Sequence, residues 1–245
     1  MPSIYLSPST QEFNKYLNGG SEEEYMNLIA NYMEPYLVSS GISFKRNTPD
    51  MTAASSIRES NSGNYDLHLA LHSNASPDFI AGKQRGSDVY YYPRSVYGKS
   101  AADTIAENLK KIYPEPALVK ALPTTSIGEV RRTKAPSVLI ELGYHDNAED
   151  EKWIKNNLEV IAVNLVQSLA QYFGIPFVEP VEPVTGTVVT RGGELNLRSY
   201  PSFESEVITK IPVGSQVSVV GGYGDWYTVI YDNKLGFAYS SYIRI

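Results

Sequence analysis

The chain has 245 residues, 42% hydrophobic and 20% charged, the balance of a globular protein long enough to bury a sizeable core; at roughly 100 to 200 residues per domain it makes one large domain, or a medium one with a small companion. A net charge of -6 argues against binding nucleic acid, which needs clustered Lys and Arg, and zero cysteines exclude a disulfide scaffold, a thiol nucleophile and any metal site built on sulfur. No apolar run approaches the roughly 18 residues of a membrane span, and Met1-Pro2-Ser3-Ile4-Tyr5-Leu6 lacks the basic start and long apolar stretch of a secretory signal.

In chain order, Ile4 to Leu6 reads as a short strand ended by Ser7-Pro8-Ser9. Glu22 to Val38 places Met26, Ile29, Met33 and Leu37 at helical spacing, with Ser21 as cap and acidic residues at the positive end of the helix dipole. Further strands are expected at 42–46, 66–72, 88–92 and 137–142, and helices near 51–60, 97–112 and 150–173, the last closed by Gly174 and Pro176. Strands interleaved with helices imply an α/β fold, a mostly parallel twisted sheet flanked by helices, whose ligands gather at the carboxyl ends of the strands. The proline-rich stretch 175–186 reads as a linker, so residues 1–174 form one domain. Residues 187–245 carry short Val, Ile, Thr and Tyr segments between turn residues, a small all-β unit.

Chemistry concentrates at two strand ends. The chain has three histidines, and His68 and His72 share one face of the strand at 66–72, about 13 Å apart at about 3.3 Å per residue. Both can hardly hold one metal ion, so His72, at the carboxyl end, is the candidate ligand and His68 reads as a buried, hydrogen-bonded histidine. Glu141 lies in Pro136-Ser137-Val138-Leu139-Ile140-Glu141-Leu142. A carboxylate in an apolar strand costs several kcal/mol unless paired, protonated or near a metal, and a catalytic base or a pair with Arg131 or Arg132 would each account for it. Glu22 to Glu24 alone read as a solvated helix start.

These pieces together resemble the zinc-dependent N-acetylmuramoyl-L-alanine amidases. The resemblance spans roughly residues 2–174 and rests on the strand ending in a Pro-containing turn, Glu23 four residues before Asn27, His72-Ser73-Asn74-Ala75, the Arg85 to Tyr92 strand, and Pro136 to Tyr144 before Asn147. It implies Glu23 and His72 as zinc ligands, Glu141 as the catalytic glutamate, and Arg131 as a contact for the stem peptide. The family's histidine after the first strand is absent, since the turn reads Ser7-Pro8-Ser9-Thr10-Gln11-Glu12. A catalytic zinc wants three protein ligands. His145, four residues after Glu141, is the first choice for the third, and Gln11 or Glu12 the second.

The tail resembles bacterial SH3-like domains through Leu195 to Ser202, Val207 to Gly214, Trp226 to Val229, Gly236 and Tyr242-Ile243; Tyr200, Tyr223 and Tyr239 are its candidates for stacking on sugars. The two resemblances imply a hydrolase that cuts peptidoglycan between N-acetylmuramic acid and L-alanine. It would be made in the cytoplasm without a signal and act on the wall after release, as an endolysin or autolysin. The rival is a non-catalytic wall-binding protein on a degenerate amidase scaffold.

Overall fold

The first apolar run becomes β1 (Ser3–Pro8) in the computed structural model, which describes residues 1–245. There follow α1 (Glu22–Ser39), β2 (Ser43–Arg46), α2 (Ala53–Ser62), β3 (Leu67–Asn74), β4 (Ser87–Tyr91), α3 (Val96–Leu109), β5 (Val119–Pro123), α4 (Gly128–Arg131), β6 (Ser137–Tyr144), α5 (Ala148–Asn156) and α6 (Leu158–Phe173). Their strands form one sheet in the order β2-β1-β3-β6-β4-β5. β1 runs parallel to β3, β3 to β6 and β4 to β5, and β4 runs antiparallel to β6.

Central strands are buried on both faces, so β6 reads as a nearly continuous apolar run, while β3 alternates leucines with a face that carries His68 and His72. Leu67, Leu69, Leu71, Val138, Ile140 and Leu142 are buried, as are Met26, Ile29 and Met33 of α1. Hydroxyls and amides start the helices: Ser55 N donates to Thr52 Oγ1, Gly98 N to Ser95 Oγ, and Glu149 and Asp150 N to Asn147 Oδ1. The expected helix at 150–173 is two helices. Asn157 stops the first by donating its amide to Ile154 O and its side chain to Trp153 O.

The last strands are β7 (Val184–Val188), β8 (Leu195–Arg198), β9 (Val207–Ile211), β10 (Gln216–Tyr223), β11 (Trp226–Tyr231), β12 (Lys234–Tyr239) and β13 (Ile243–Arg244). They form a second, antiparallel sheet in the order β13-β7-β10-β11-β12-β8-β9 around Val188, Leu197, Ile211, Val219 and Val229. Asp232 and Asn233, both at positive φ, make the two-residue turn between β11 and β12, a conformation that Asp and Asn tolerate. The chain divides into two units, residues 3–33 with 44–172, and residues 1–2 and 34–43 with 173–245.

Candidate functional site

Parallel pairing of β3 with β6 sets His72 opposite Glu141, and antiparallel pairing of β6 with β4 sets Glu141 opposite Asp88. Three ionisable residues therefore stand in a row across adjacent strands, near the carboxyl ends of β3 and β6. The loop behind β6 is held by two carboxylates. Asp150 is fully buried and accepts from Gly86 N, Tyr144 N and the Tyr113 hydroxyl, while Asp146 accepts from Ser76 N and Gly82 N.

His72 is the centre of the site. Its Nδ1 lies 2.7 Å from Glu22 Oε1 and its Nε2 lies 3.1 Å from Glu129 Oε2, so the ring sits between two buried carboxylates. Burial works against a charge on the ring, yet the hydrogen bonds to Glu129 and Glu22 outweigh it and hold the imidazole well above its ordinary range. Burial likewise raises both carboxyls, but the bonds from His72 and Asn14 pull Glu22 below the usual carboxylate range, and those from His68 and His72 do the same to Glu129.

The carboxylate at His72 is Glu22, not Glu23. Glu24 N donates to Ser21 Oγ, so α1 opens at Glu22, whose side chain leans back over the helix start toward β3. Glu23 is one residue on, about 100° around the helix. Its carbonyl and carboxylate take Asn27 Nδ2 within the helix, at 2.7 and 3.4 Å. The Glu23-Asn27 spacing thus serves α1 itself.

His145 also lies apart. Its Nδ1 is 3.1 Å from Ser73 O and 3.2 Å from Ser73 Oγ, and its ring stacks on Tyr16 with centroids 5.6 Å apart. It forms no hydrogen bond with His72 or Glu22. Gln11 does approach, with its amide nitrogen 3.3 Å from His72 Nδ1 and its oxygen accepting from Asn14 Nδ2, which also donates to Glu22 Oε2. Glu12 is exposed. Gln11, His72 and Glu129 share a cavity of about 590 Å³ with Asn47, Met51 and Thr52.

Glu141 Oε2 is buried without a hydrogen-bond partner. Burial pushes its carboxyl up to about 7, against the pull of the charged His72 ring, and burial raises Asp88 beside it. Arg131 and Arg132 are exposed at the end of α4 and leave Glu141 unpaired. His68 is fully buried, with Nδ1 3.0 Å from Ser60 Oγ and Nε2 3.2 Å from Glu129 Oε1. Sequence reasoning missed Glu129 and Asp88; neither lies in an apolar run that would mark it.

No group of three His, Cys, Asp or Glu converges as metal ligands. What converges is an imidazole nitrogen, a carboxylate and the Gln11 amide, of which the oxygen, accepting from Asn14 Nδ2, is the atom able to bind a metal. That set fits a divalent cation, although more weakly than two imidazoles and a carboxylate would. The orphaned Glu141 oxygen leaves a buried acceptor on the residue between His72 and Asp88 in that row.

Residues 10–171 match the family described as N-acetylmuramoyl-L-alanine amidase, and residues 193–244 the bacterial SH3 domain. Over 116 residues, 44% of this chain and 35% of the relative, the chain is 30% identical to "Probable cell wall amidase LytH" of Staphylococcus saprophyticus. To the protein of that name from Staphylococcus aureus it is 28% identical over 160 residues, 62% of this chain and 50% of the relative. The chain thus spans half or less of the curated relatives it matches. Among solved structures, the amidase AmiC2 of Nostoc punctiforme aligns with a TM-score of 0.62 at 16% identity, covering 71% of this chain and 97% of that one. The catalytic domain of the CD27L endolysin targeting Clostridia difficile aligns at 0.58 and 22% identity, covering 70% and 98%. These likenesses establish the fold. Since the family match takes in about two thirds of the sequence, the chain belongs to the N-acetylmuramoyl-L-alanine amidase family, with a bacterial SH3 domain behind it.

Proposed function

We propose that the chain is a peptidoglycan hydrolase that cuts the amide bond between N-acetylmuramic acid and the L-alanine of the stem peptide. The observation that carries this reading is Glu141 opposite His72 on adjacent strands, with Glu22 on the His72 ring, in a sheet of the amidase family. Zinc is the cofactor we assign, with His72 Nδ1, Glu22 and the Gln11 amide as the residues that would hold it; bound there it would polarise the scissile carbonyl and acidify a water. Glu141 is the proton carrier. Its carboxyl, poised near neutrality by burial, takes the water's proton and returns it to the leaving nitrogen. Exposed Arg131 is assigned to the stem peptide.

The tail is assigned to wall attachment. A cleft of about 620 Å³ there is lined by Arg191, Arg198, Phe203, Trp226, Tyr239 and Tyr242, and exposed Tyr200 and Tyr223 offer two further rings. No helix is long and apolar enough to cross a membrane.

Digestion of purified peptidoglycan followed by mass analysis tests the reading. Free stem peptides beginning with L-alanine support it, and glycan fragments with intact muramyl-peptide bonds refute it. A second reading, a wall-binding protein on an inactive scaffold, is favoured by one observation, the amide where a third strong ligand is expected. Stoichiometric zinc at micromolar or better affinity separates the two.

A further inference from the structure

We infer that Glu129 is a positioning residue that fixes which nitrogen of His72 faces the metal, so that Nδ1 is the ligand and Nε2 keeps its hydrogen. The inference rests on the amidase reading above and adds to it a residue outside the motifs that led there.

The geometry is specific. Glu129 sits on α4, is 5% exposed, and touches the His72 nitrogen opposite the one that faces Glu22 and Gln11. An ionised carboxylate only accepts hydrogen bonds. Nε2 must therefore carry hydrogen for the 3.1 Å contact with Glu129 Oε2 to be a bond, as Nδ1 does toward Glu22 Oε1 at 2.7 Å in the metal-free ring; of the two, only the Nδ1 hydrogen faces Glu22 and Gln11, so it is the one a metal held by them would replace. Histidines that bind metals commonly donate their other N–H to a carboxylate, which sets the ring's orientation and raises its basicity.

Glu129 is itself held. Its other oxygen accepts from Ser7 Oγ at 2.6 Å and lies 3.2 Å from His68 Nε2, and the far side of that ring meets Ser60 Oγ at 3.0 Å. Both carboxylate oxygens are thus engaged on the face of His72 away from Glu22, so Glu129 orients the ring and is not a further ligand. His68 acquires a role by the same chain of contacts, since its N–H keeps the Glu129 carboxylate in place.

The test uses the full chain as wild type, Glu129→Gln and Glu129→Leu, each stripped with a chelator, titrated calorimetrically with zinc, and followed through long-range ¹H–¹⁵N spectra of the imidazoles. We expect wild-type His72 to bind zinc through Nδ1 with Nε2 protonated. Glu129→Leu should lose about 10- to 100-fold in zinc affinity, and Glu129→Gln, which retains an acceptor oxygen, should lose less and keep the Nε2–H signal. Circular dichroism monitors folding; should the Leu variant not fold, the wild-type spectrum still decides. Zinc bound through Nε2, or wild-type affinity in a folded Glu129→Leu, overturns the inference while leaving the amidase reading intact. Failure of the wild type to take up zinc overturns the reading itself, and with it the inference.

Discussion

Glu141→Gln is expected to slow hydrolysis severely and, at the same time, to stabilise the metal-free protein above neutral pH. Burial raises the Glu141 carboxyl from 4.5 to about 7, and each unit is worth about 1.4 kcal/mol of preference for the protonated form. A carboxyl whose folded value is raised contributes stability that is fully present below its unfolded value and is lost as pH rises through the folded value. The wild type should therefore carry a penalty of about 1 kcal/mol at pH 5 that grows to about 3 kcal/mol at pH 8. Glutamine keeps the shape and has no charge to bury, so its advantage over wild type should widen by about 2 kcal/mol between those pH values. Urea unfolding of both chelator-treated chains at the two pH values measures this. Hydrolysis of soluble muropeptides should fall by about 10² to 10⁴, while attachment to intact walls stays. Parallel stability profiles for the two chains would show that Glu141 is not a buried acid, and near-normal hydrolysis would remove it from the proton path.

Three further outcomes are open to measurement. Gln11→Ala should lower zinc affinity about tenfold, whereas His145→Ala, whose ring is engaged by Ser73 and Tyr16, should leave it within about threefold; calorimetric titration compares them. Zinc affinity should rise about tenfold per pH unit while pH lies below the raised value of His72, because metal and proton compete for Nδ1, and a pH-independent affinity would remove Nδ1 from the ligand set. Gly41→Ala should destabilise the unit that contains the tail by about 1 to 3 kcal/mol in thermal unfolding, since Gly41 has φ +75° and a Cβ there would lie 2.6 Å from Phe237 Cε2.

How much of this was legible depends on whether the signal is local. α1 and β3 announce themselves by period, and β6 by its apolar run, because each buries its own residues along its length. β5 did not: Val119–Pro123 is an edge strand with only Val119 buried, so it has little apolar pattern to read. α4 is a single four-residue turn, too short to display a helical period. The break at Asn157 was hidden for the opposite reason, since Ile154, Ile161 and Leu165 are all buried and the apolar pattern runs on through the interruption.

The site divides along the same line. His72 and Glu141 were found because polar residues at the ends of apolar strands are anomalies within their own segments. Choosing among Glu22, Glu23 and Glu24 is a different problem, because successive helical residues differ by about 100° in direction. Only the phase of α1 against β3, fixed by the Ser21 cap and the turn before it, selects the carboxylate that meets the ring. A motif spacing such as Glu23-Asn27 is insensitive to that phase, and the pair is made inside the helix whichever glutamate faces the strand. Glu129 is harder still. It reaches His72 across 57 residues of chain from a one-turn helix, and within its own segment, Gly128-Glu129-Val130-Arg131, nothing distinguishes it from a solvated acid. Its burial follows from packing. A carboxylate buried for its contacts with two imidazoles four residues apart on one strand can be recognised only once that strand has been placed beside it.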